Sequence, residues 1–210
     1  MTRHRSATFG SRFALFTSGE PQVPADASRE DRILDAARRC FVAIGWDKTT
    51  MEDVGRLAGM SRATLYKIFP TSHDVHNAVR RQSVEMMRLD LNDALAGGRS
   101  LAESLGNVAA ALTVWCSTVR SNGNPNAFYV QRHAEESVVI VDLLADVLRP
   151  RLELAQKNGE IDTDRPTDRV VDWVARCVAG FVLLPTGRPF HSDDPDIVRD
   201  FIRDFLVPAL

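Results

Sequence analysis

The chain has 210 residues, of which 44% are hydrophobic, and its formal net charge is −2. This composition suffices for one or two compact cores, and no apolar run approaches the roughly 20 residues of a membrane-spanning helix, so we expect a soluble protein. The charge is distributed unevenly along the chain. Residues 1–80 hold 12 Lys/Arg and 9 Asp/Glu, a net +3, and the remaining residues a net −5. This split favours nucleic-acid contact confined to the N-terminal part.

Residues 1–28 carry three arginines, two acidic residues and scattered Gly, Ser and Pro. Such a composition predicts a flexible, basic N-terminal arm. Arms of this type enter the minor groove in other DNA-binding folds, and the alternative is an inert extension. The apolar stretch 13–16 is too short for a signal peptide, so a cytoplasmic location is expected.

Three short helices are predicted within residues 29–75. Gly45 ends the first of them. Its apolar residues that share one face are Ile33, Leu34, Ala37, Phe41 and Ile44. In the second helix, Thr50 and Asp53 have the spacing of a capping box, and Gly59 supplies the left-handed C-terminal residue. The apolar face of that helix consists of Val54, Leu57 and Ala58.

Ser61 is the predicted N-cap of the third helix, which ends at Pro70 because a residue before proline avoids helical geometry. Leu65 and Phe69, four residues apart, face inward. The residues that project elsewhere are Arg62, Ala63, Thr64, Tyr66 and Lys67. Two short helices, a glycine turn and an exposed basic and hydroxyl-bearing face are typical of a helix-turn-helix, although an ordinary helical hairpin has the same patterning.

Residues 49–70, reading TTMEDVGRLAGMSRATLYKIFP, closely resemble the DNA-binding motif of the tetracycline-repressor (TetR) family of transcriptional regulators. The resemblance extends over about residues 29–79. It implies an all-α protein in which a three-helix DNA-binding domain, residues 29–75, precedes a helical effector-binding and dimerisation domain, residues 76–210. It also implies a double-stranded palindromic operator as partner.

The resemblance places Arg62, Ala63, Thr64, Tyr66 and Lys67 at the major groove. Thr50 and Ser61 correspond to helix starts that contact phosphates. Arg62 matches the geometry of a bidentate contact to guanine, and the Ala63 methyl can pack on a thymine methyl. Tyr66 is expected at a phosphate or sugar, with half-buried packing as the alternative, and Lys67 is otherwise a solvated lysine.

Three positions depart from the family pattern. Ser72 replaces a lysine that contacts phosphate, so one cation per subunit is missing, although Thr71 and Asp74 can still form a capping box. Gly55 replaces alanine within a helix, which costs up to about 1 kcal/mol of helix propensity. Ile68 stands where a polar or aromatic residue is common. These changes predict weaker backbone binding with the motif intact.

The rest of the chain predicts six helices and no strands or repeats. Their approximate ranges are 72–95, 100–122, 125–134, 137–157, 166–184 and 195–206, with Pro150 as a predicted kink in the fourth. The fifth is apolar around most of its circumference. The apolar stripe of the sixth consists of Ile197, Phe201, Ile202 and Phe205. The resemblance implies that these last two helices form a two-fold homodimer, and the alternative is that they fill the monomer core.

The resemblance further implies a pocket for a small effector in the helical body. The candidate lining residues are Met86, Trp115, Phe128, His133 and Trp173. Their aromatic character favours a mainly apolar effector, with Arg120, Arg132 or His133 available for a polar end. Each of these side chains can equally be plain core.

No catalytic site, metal site or cofactor is indicated. The sequence has no phosphate-binding glycine loop and no metal-ligand spacing, and its three cysteines lie far apart in apolar surroundings, as buried thiols do. His73 and His76 are interpreted as solvated residues at a helix start. The predicted function is a DNA-binding regulator, most simply a repressor released by a small molecule. The alternatives are a helical protein-interaction module and a constitutive DNA-binding protein without an effector.

Overall fold

The computed structural model describes Arg12 and residues 18–24, 26–121, 134–183 and 194–210, and every regular element within those residues is a helix. The predicted all-α class is therefore confirmed. The helices are α1 (Arg29–Ile44), α2 (Met51–Ala58), α3 (Arg62–Ile68), α4 (Ser72–Ala96), α5 (Leu101–Ser121), α6 (Ala134–Lys157), α7 (Thr167–Leu183) and α8 (Pro195–Phe201), which is followed by a π-helical turn (Ile202–Leu206) and a 3-10 turn (Val207–Ala209).

The described residues fall into two compact units. The first takes the described residues up to Met87, partway along α4, together with the end of α5 from Thr118, and the second takes Arg88–Ser117 and the described residues from 134 onward. Val75, Ala78 and Val79, in the first two turns of α4, are buried in the first unit. No described helix is long and apolar enough to cross a membrane.

The core of the first unit follows the predicted apolar faces. Ile33, Ala37 and Phe41 of α1 are buried, as are Val54 of α2 and Leu65 of α3. Two residues of the predicted apolar faces are not buried, since Ile44 and Leu57 each expose 42% of their surface. Each lies in the last turn of its helix, one or two residues before the glycine that ends it.

Residues 19–22 lie against α1, where the sequence predicts a flexible arm. The Arg39 Nε donates a hydrogen bond to the Gly19 carbonyl at 3.0 Å, and the Gln22 amide donates to the Asp35 carboxylate at 3.0 Å. The Arg38 guanidinium bonds both the Glu20 carbonyl and Asp35, the latter at 2.7 Å. The backbone of this stretch is thus hydrogen-bonded to charged groups of α1, of which Asp35 and Arg38 are buried.

The start of α4 contributes His76 to the first unit. Its imidazole stacks on the Trp46 ring at 5.2 Å between centroids and lies 4.9 Å from the Phe41 ring. The prediction of a solvated His76 is therefore wrong, although His73 is exposed. Burial, followed by the nearby His73, lowers the pKa of His76 below its ordinary value. The stack joins the turn after α1 to the first turns of α4.

In the second unit, α6 and α7 pack along each other, and α7 also contacts the turn that follows α8. The helix α6 continues through Pro150. It begins at Ala134, three residues earlier than predicted, while the predicted helix 125–134 lies almost wholly outside the described residues. On α7, Val170, Val174 and Val178 are buried.

The end of the chain buries one face and exposes the other. Val198, Ile202 and Leu206 are buried at successive four-residue intervals. On the other side Ile197 is 37% exposed and Phe205 is 65% exposed. The prediction that Ile202 and Phe205 share one apolar stripe is therefore wrong. The helix carries two apolar faces, one of which the subunit itself covers.

None of the three cysteines, all of which are described, forms a disulfide. Cys40 and Cys116 are buried, and Cys177 is half-buried. Burial raises the pKa of Cys40 and of Cys177 above the ordinary thiol value. Raised thiol pKa values keep the reactive thiolate scarce at neutral pH, as in structural cysteines.

Two glycines near the turn between α2 and α3 allow a matched test of the local packing. A Cβ added at Gly55 would lie 3.4 Å from Leu65 Cδ2, which is an ordinary contact, whereas Gly59 has a φ of +65°. We expect Gly55→Ala to raise the free energy of unfolding by up to about 1 kcal/mol, because alanine restores helix propensity. Gly59→Ala should lower it by about 1 kcal/mol, because the left-handed backbone strains a Cβ. Chemical denaturation measures both, and a destabilising Gly55→Ala would mean that α2 and α3 already touch too closely.

Candidate nucleic-acid interface

The predicted interface residues other than Thr50, which caps α2, belong to α3 and its N-cap. The inner side of α3 is fixed by Leu65, which is 1% exposed, and by Phe69 just beyond its end. The outward side chains are therefore determined by the helical repeat. Those that are exposed are Ser61, Arg62, Ala63, Tyr66 and Lys67. Thr64 is half-buried, so its hydroxyl lies at the edge of this face.

The start of α3 is capped as predicted. The Ser61 hydroxyl accepts a hydrogen bond from the Thr64 amide at 3.2 Å and lies 2.9 Å from the Thr64 hydroxyl. The first turn of α3 contains no acidic residue. Its remaining amides and its positive dipole end are thus not opposed by a local carboxylate.

The start of α2, by contrast, is acidic. Thr50 and Asp53 form the predicted capping box, in which the Thr50 amide and hydroxyl both donate to the Asp53 carboxylate, at 3.1 and 2.6 Å. The hydrogen bond from the Thr50 hydroxyl, followed by that from its backbone, lowers the pKa of Asp53. An ionised Asp53 beside Glu52 opposes an approaching phosphate, so Thr50 stands in a less favourable electrostatic setting than Ser61.

Arg56 partly offsets this negative charge. Its guanidinium forms an ion pair with Asp53 at 2.5 Å, and its side chain is 76% exposed. It lies in the last turn of α2, where a cation is favourable. Arg56 is not among the residues that the motif predicts for DNA contact, although the i,i+3 spacing of Asp53 and Arg56 indicates an ion pair.

Arg62 and Tyr66 interact along the outer face of α3. The Arg62 guanidinium lies over the Tyr66 ring, 5.3 Å from its centroid. Tyr66 is 36% exposed, so part of its ring is accessible at the surface. Cation–π contacts at exposed sites contribute about 0.5–1 kcal/mol. This pair directs the guanidinium along the helix before any partner is present.

The start of α4 forms the capping box that the sequence predicts. The Thr71 amide donates to the Asp74 carboxylate at 2.9 Å, and the Asp74 amide donates to the Thr71 hydroxyl at 3.2 Å. Ser72, the first residue of α4, is exposed. The helix therefore starts normally without the lysine that the family pattern has at this position.

Three of the predicted effector residues have described side chains. Met86 is half-buried in the first unit, Trp115 is 9% exposed in the second, and Trp173 is 41% exposed on α7. An indole so exposed does not line an enclosed pocket, and Trp173 fits a subunit surface better. Phe128, His133 and Arg132 lie outside the described residues, as does the side chain of Arg120.

Comparison with known proteins agrees with this geometry. Residues 33–78 match the sequence profile of bacterial regulatory proteins of the tetR family. An uncharacterised HTH-type transcriptional regulator of Mycobacterium tuberculosis is 28% identical over 192 residues, covering 85% of this chain and 86% of that protein. An HTH-type transcriptional repressor of the same species is 28% identical over 174 residues, covering 78% and 83%.

Two solved structures share the fold. The fatty acid degradation regulator FadR from Bacillus halodurans aligns with a TM-score of 0.58 and 14% identity, covering 87% of this chain and 98% of that one. GusR of Salmonella enterica aligns with a TM-score of 0.57 and 21% identity, covering 90% and 98%. These identities support a common architecture and nothing finer.

The exposed Ser72 allows a test of the missing cation. We expect Ser72→Lys to tighten binding to all duplexes alike, because a lysine at this helix start adds a phosphate contact that carries no sequence information. The slope of log affinity against log salt should steepen by about one unit. Fluorescence anisotropy at several salt concentrations measures both quantities, with Ser72→Ala as the control. A gain limited to one sequence would show that residue 72 lies near base edges instead.

Proposed function

Since the chain belongs to the TetR family of bacterial transcriptional regulators, we propose that it is a repressor that binds a palindromic operator as a homodimer and leaves it when a small molecule binds. The observation that carries the DNA-binding part is the outer face of α3, where Arg62, Tyr66 and Lys67 are exposed together. A cytoplasmic location belongs to the same proposal.

The distribution of charge supports the choice of this face. Residues 1–80 carry a net +3 in a chain whose total is −2. DNA is attracted to the basic part and repelled by the acidic remainder, which limits unspecific binding elsewhere on the surface. Selection of bound duplexes from a random pool tests the proposal, and the recovery of no shared sequence would contradict a specific operator.

A two-fold dimer follows from the requirement that two copies of α3 read two half-sites about one helical turn of DNA apart. The exposed apolar side chains of the last two helices, Trp173, Ile197 and Phe205, support a dimer through these elements. The 3-10 turn after the last helix is tied to the segment before α7, because the Arg165 guanidinium donates to the Ala209 carbonyl at 2.9 Å. The Phe205 ring contacts that of Phe201 at 4.7 Å between centroids, yet 65% of its surface would remain in water without a partner subunit.

The effector is proposed to be small and mainly apolar, bound within the helical body. It can release DNA only if it binds one spacing of the two α3 helices more tightly than the other. Trp115, buried on α5, is the described residue that best fits a pocket wall. Native mass spectrometry of the purified protein provides the test. A retained small molecule that is lost on operator binding supports the effector, and equal operator affinity with and without it contradicts it.

Arg62 is expected to read a base. Replacement of Arg62 by alanine should cost about 1–3 kcal/mol on the selected operator and relax the preference at one base pair, because a bidentate contact is lost. Tyr66→Phe is the matched control, since it keeps the ring under the guanidinium and removes only the hydroxyl. It should weaken all duplexes alike. If Arg62→Ala also weakens every duplex equally in a gel shift, Arg62 contacts only the backbone.

Phe205 is expected to hold the dimer. We expect Phe205→Glu to weaken dimerisation by at least about 2 kcal/mol, because a central aromatic is replaced by a charge at both ends of a two-fold contact. The fold of the subunit should survive, since 65% of the Phe205 surface is exposed. Analytical ultracentrifugation measures the dissociation constant, with Phe205→Leu as the conservative control. A Phe205→Glu protein that dimerises as the wild type does would move the interface elsewhere.

A further inference from the structure

The turn between α2 and α3 is held from α1. Within the turn, the Met60 amide donates to the Gly55 carbonyl at 3.0 Å, and the Gly59 amide donates to the Arg56 carbonyl at 3.3 Å. The Ala58 carbonyl is at the very end of α2, where a helix leaves acceptors without intrahelical donors. The Arg32 Nη2 of α1 donates to this carbonyl at 3.1 Å.

We propose that Arg32 is a positioning residue for DNA reading, which sets the angle at which α3 leaves the turn. Its guanidinium also lies close to the turn glycine, with Nη2 3.8 Å from the position of a Cβ at Gly59. A charged donor at the negative end of a helix makes a stronger hydrogen bond than a neutral one. Because Arg32 is half-buried, water competes with this bond less than at the surface.

The hydrogen bond from Arg32 to Ala58 affects recognition because Ala58 lies only a few residues before the start of α3. Ser61, the N-cap of α3, is three residues after Ala58, and Arg62 follows directly. A small rotation at the turn is therefore carried along the whole outer face of α3. Hydrogen bonds to base edges require a fixed geometry, whereas contacts to phosphates tolerate displacement. Loss of the Arg32 contact should accordingly reduce discrimination between sequences more than it reduces total affinity.

Arg32 can serve this purpose because α1 is itself held firmly. Opposite its core-facing side, Asp35 and Arg38 form an ion pair with 7% and 3% of their side-chain surfaces exposed. The backbone of residues 19–22 is hydrogen-bonded to the same groups. A separate contact, in which Leu65 packs beneath Gly55, fixes the distance between α2 and α3. The turn between these two helices is held by Arg32.

The experiment measures affinity for the selected operator and for a scrambled duplex of the same length, using the full chain. For Arg32→Met we expect about a tenfold loss of operator affinity, with little change for the scrambled duplex. Arg32→Lys keeps the charge and one donor, and its discrimination should lie between those of Arg32→Met and the wild type. Arg29→Met is the matched control, because it removes the same charge from an exposed position on the same helix.

A purely structural or electrostatic role gives different results. Equal losses on both duplexes, or the same loss for Arg29→Met, would overturn the proposal. An unchanged ratio of operator affinity to scrambled-duplex affinity in Arg32→Met protein would also overturn the proposal. The active fraction of that protein is first determined by titration. If Arg32→Met does not fold, Arg32→Lys decides by the same ratio: a reduced ratio supports the proposal and an unchanged one overturns it.

The inference rests on the proposed operator binding, and the two can fail separately. Wild-type protein that binds both duplexes equally would contradict the proposed function. Wild-type protein that discriminates, together with Arg32→Met protein that discriminates equally well, would contradict the role of Arg32 alone.

Discussion

The orientation of the outer face of α3 depends on the left-handed backbone at Gly59. That residue ends α2 with a φ of +65° and reverses the chain so that Ser61 can begin α3. The two helices then lie close enough for Leu65 to sit beneath Gly55. Because Leu65 is almost fully buried, the opposite side of a seven-residue helix is obliged to face outward. The positions of Arg62, Tyr66 and Lys67 are consequences of this packing.

Local features of the DNA-binding unit could be predicted because their causes lie a few residues apart. The capping boxes at Thr50 and Thr71 and the glycine end of α2 each need only one helical turn of sequence. Contacts between distant residues left no such signal. Nothing in the periodicity of α1 indicates that Arg32 reaches Ala58, 26 residues away, or that Arg38 is covered by residue 20.

The same difference explains the errors in apolar faces. Helical periodicity tells which residues share a side, and it does not tell how far a neighbouring element covers that side. Ile44 and Leu57 lie on the correct faces but at the ends of their helices, where cover stops. For the last helix, the pattern could not separate the face covered within the subunit, including Ile202, from the outer face of Phe205. The residues proposed to line an effector pocket rest on the family resemblance and on side-chain type, which carry no information about distances between them.

The hydrogen bonds of residues 19–22 set the N-terminal limit of the DNA-binding unit earlier than its first helix. The sequence profile begins at residue 33, and α1 begins at Arg29. A protein cut at that helix would keep Asp35 and Arg38 but lose the backbone groups that bury and bond them. Buried polar groups that lose their hydrogen-bond partners lower the free energy of unfolding. A fragment designed as a separate DNA-binding module should therefore include residues 19–22, a non-helical stretch that precedes the profile match.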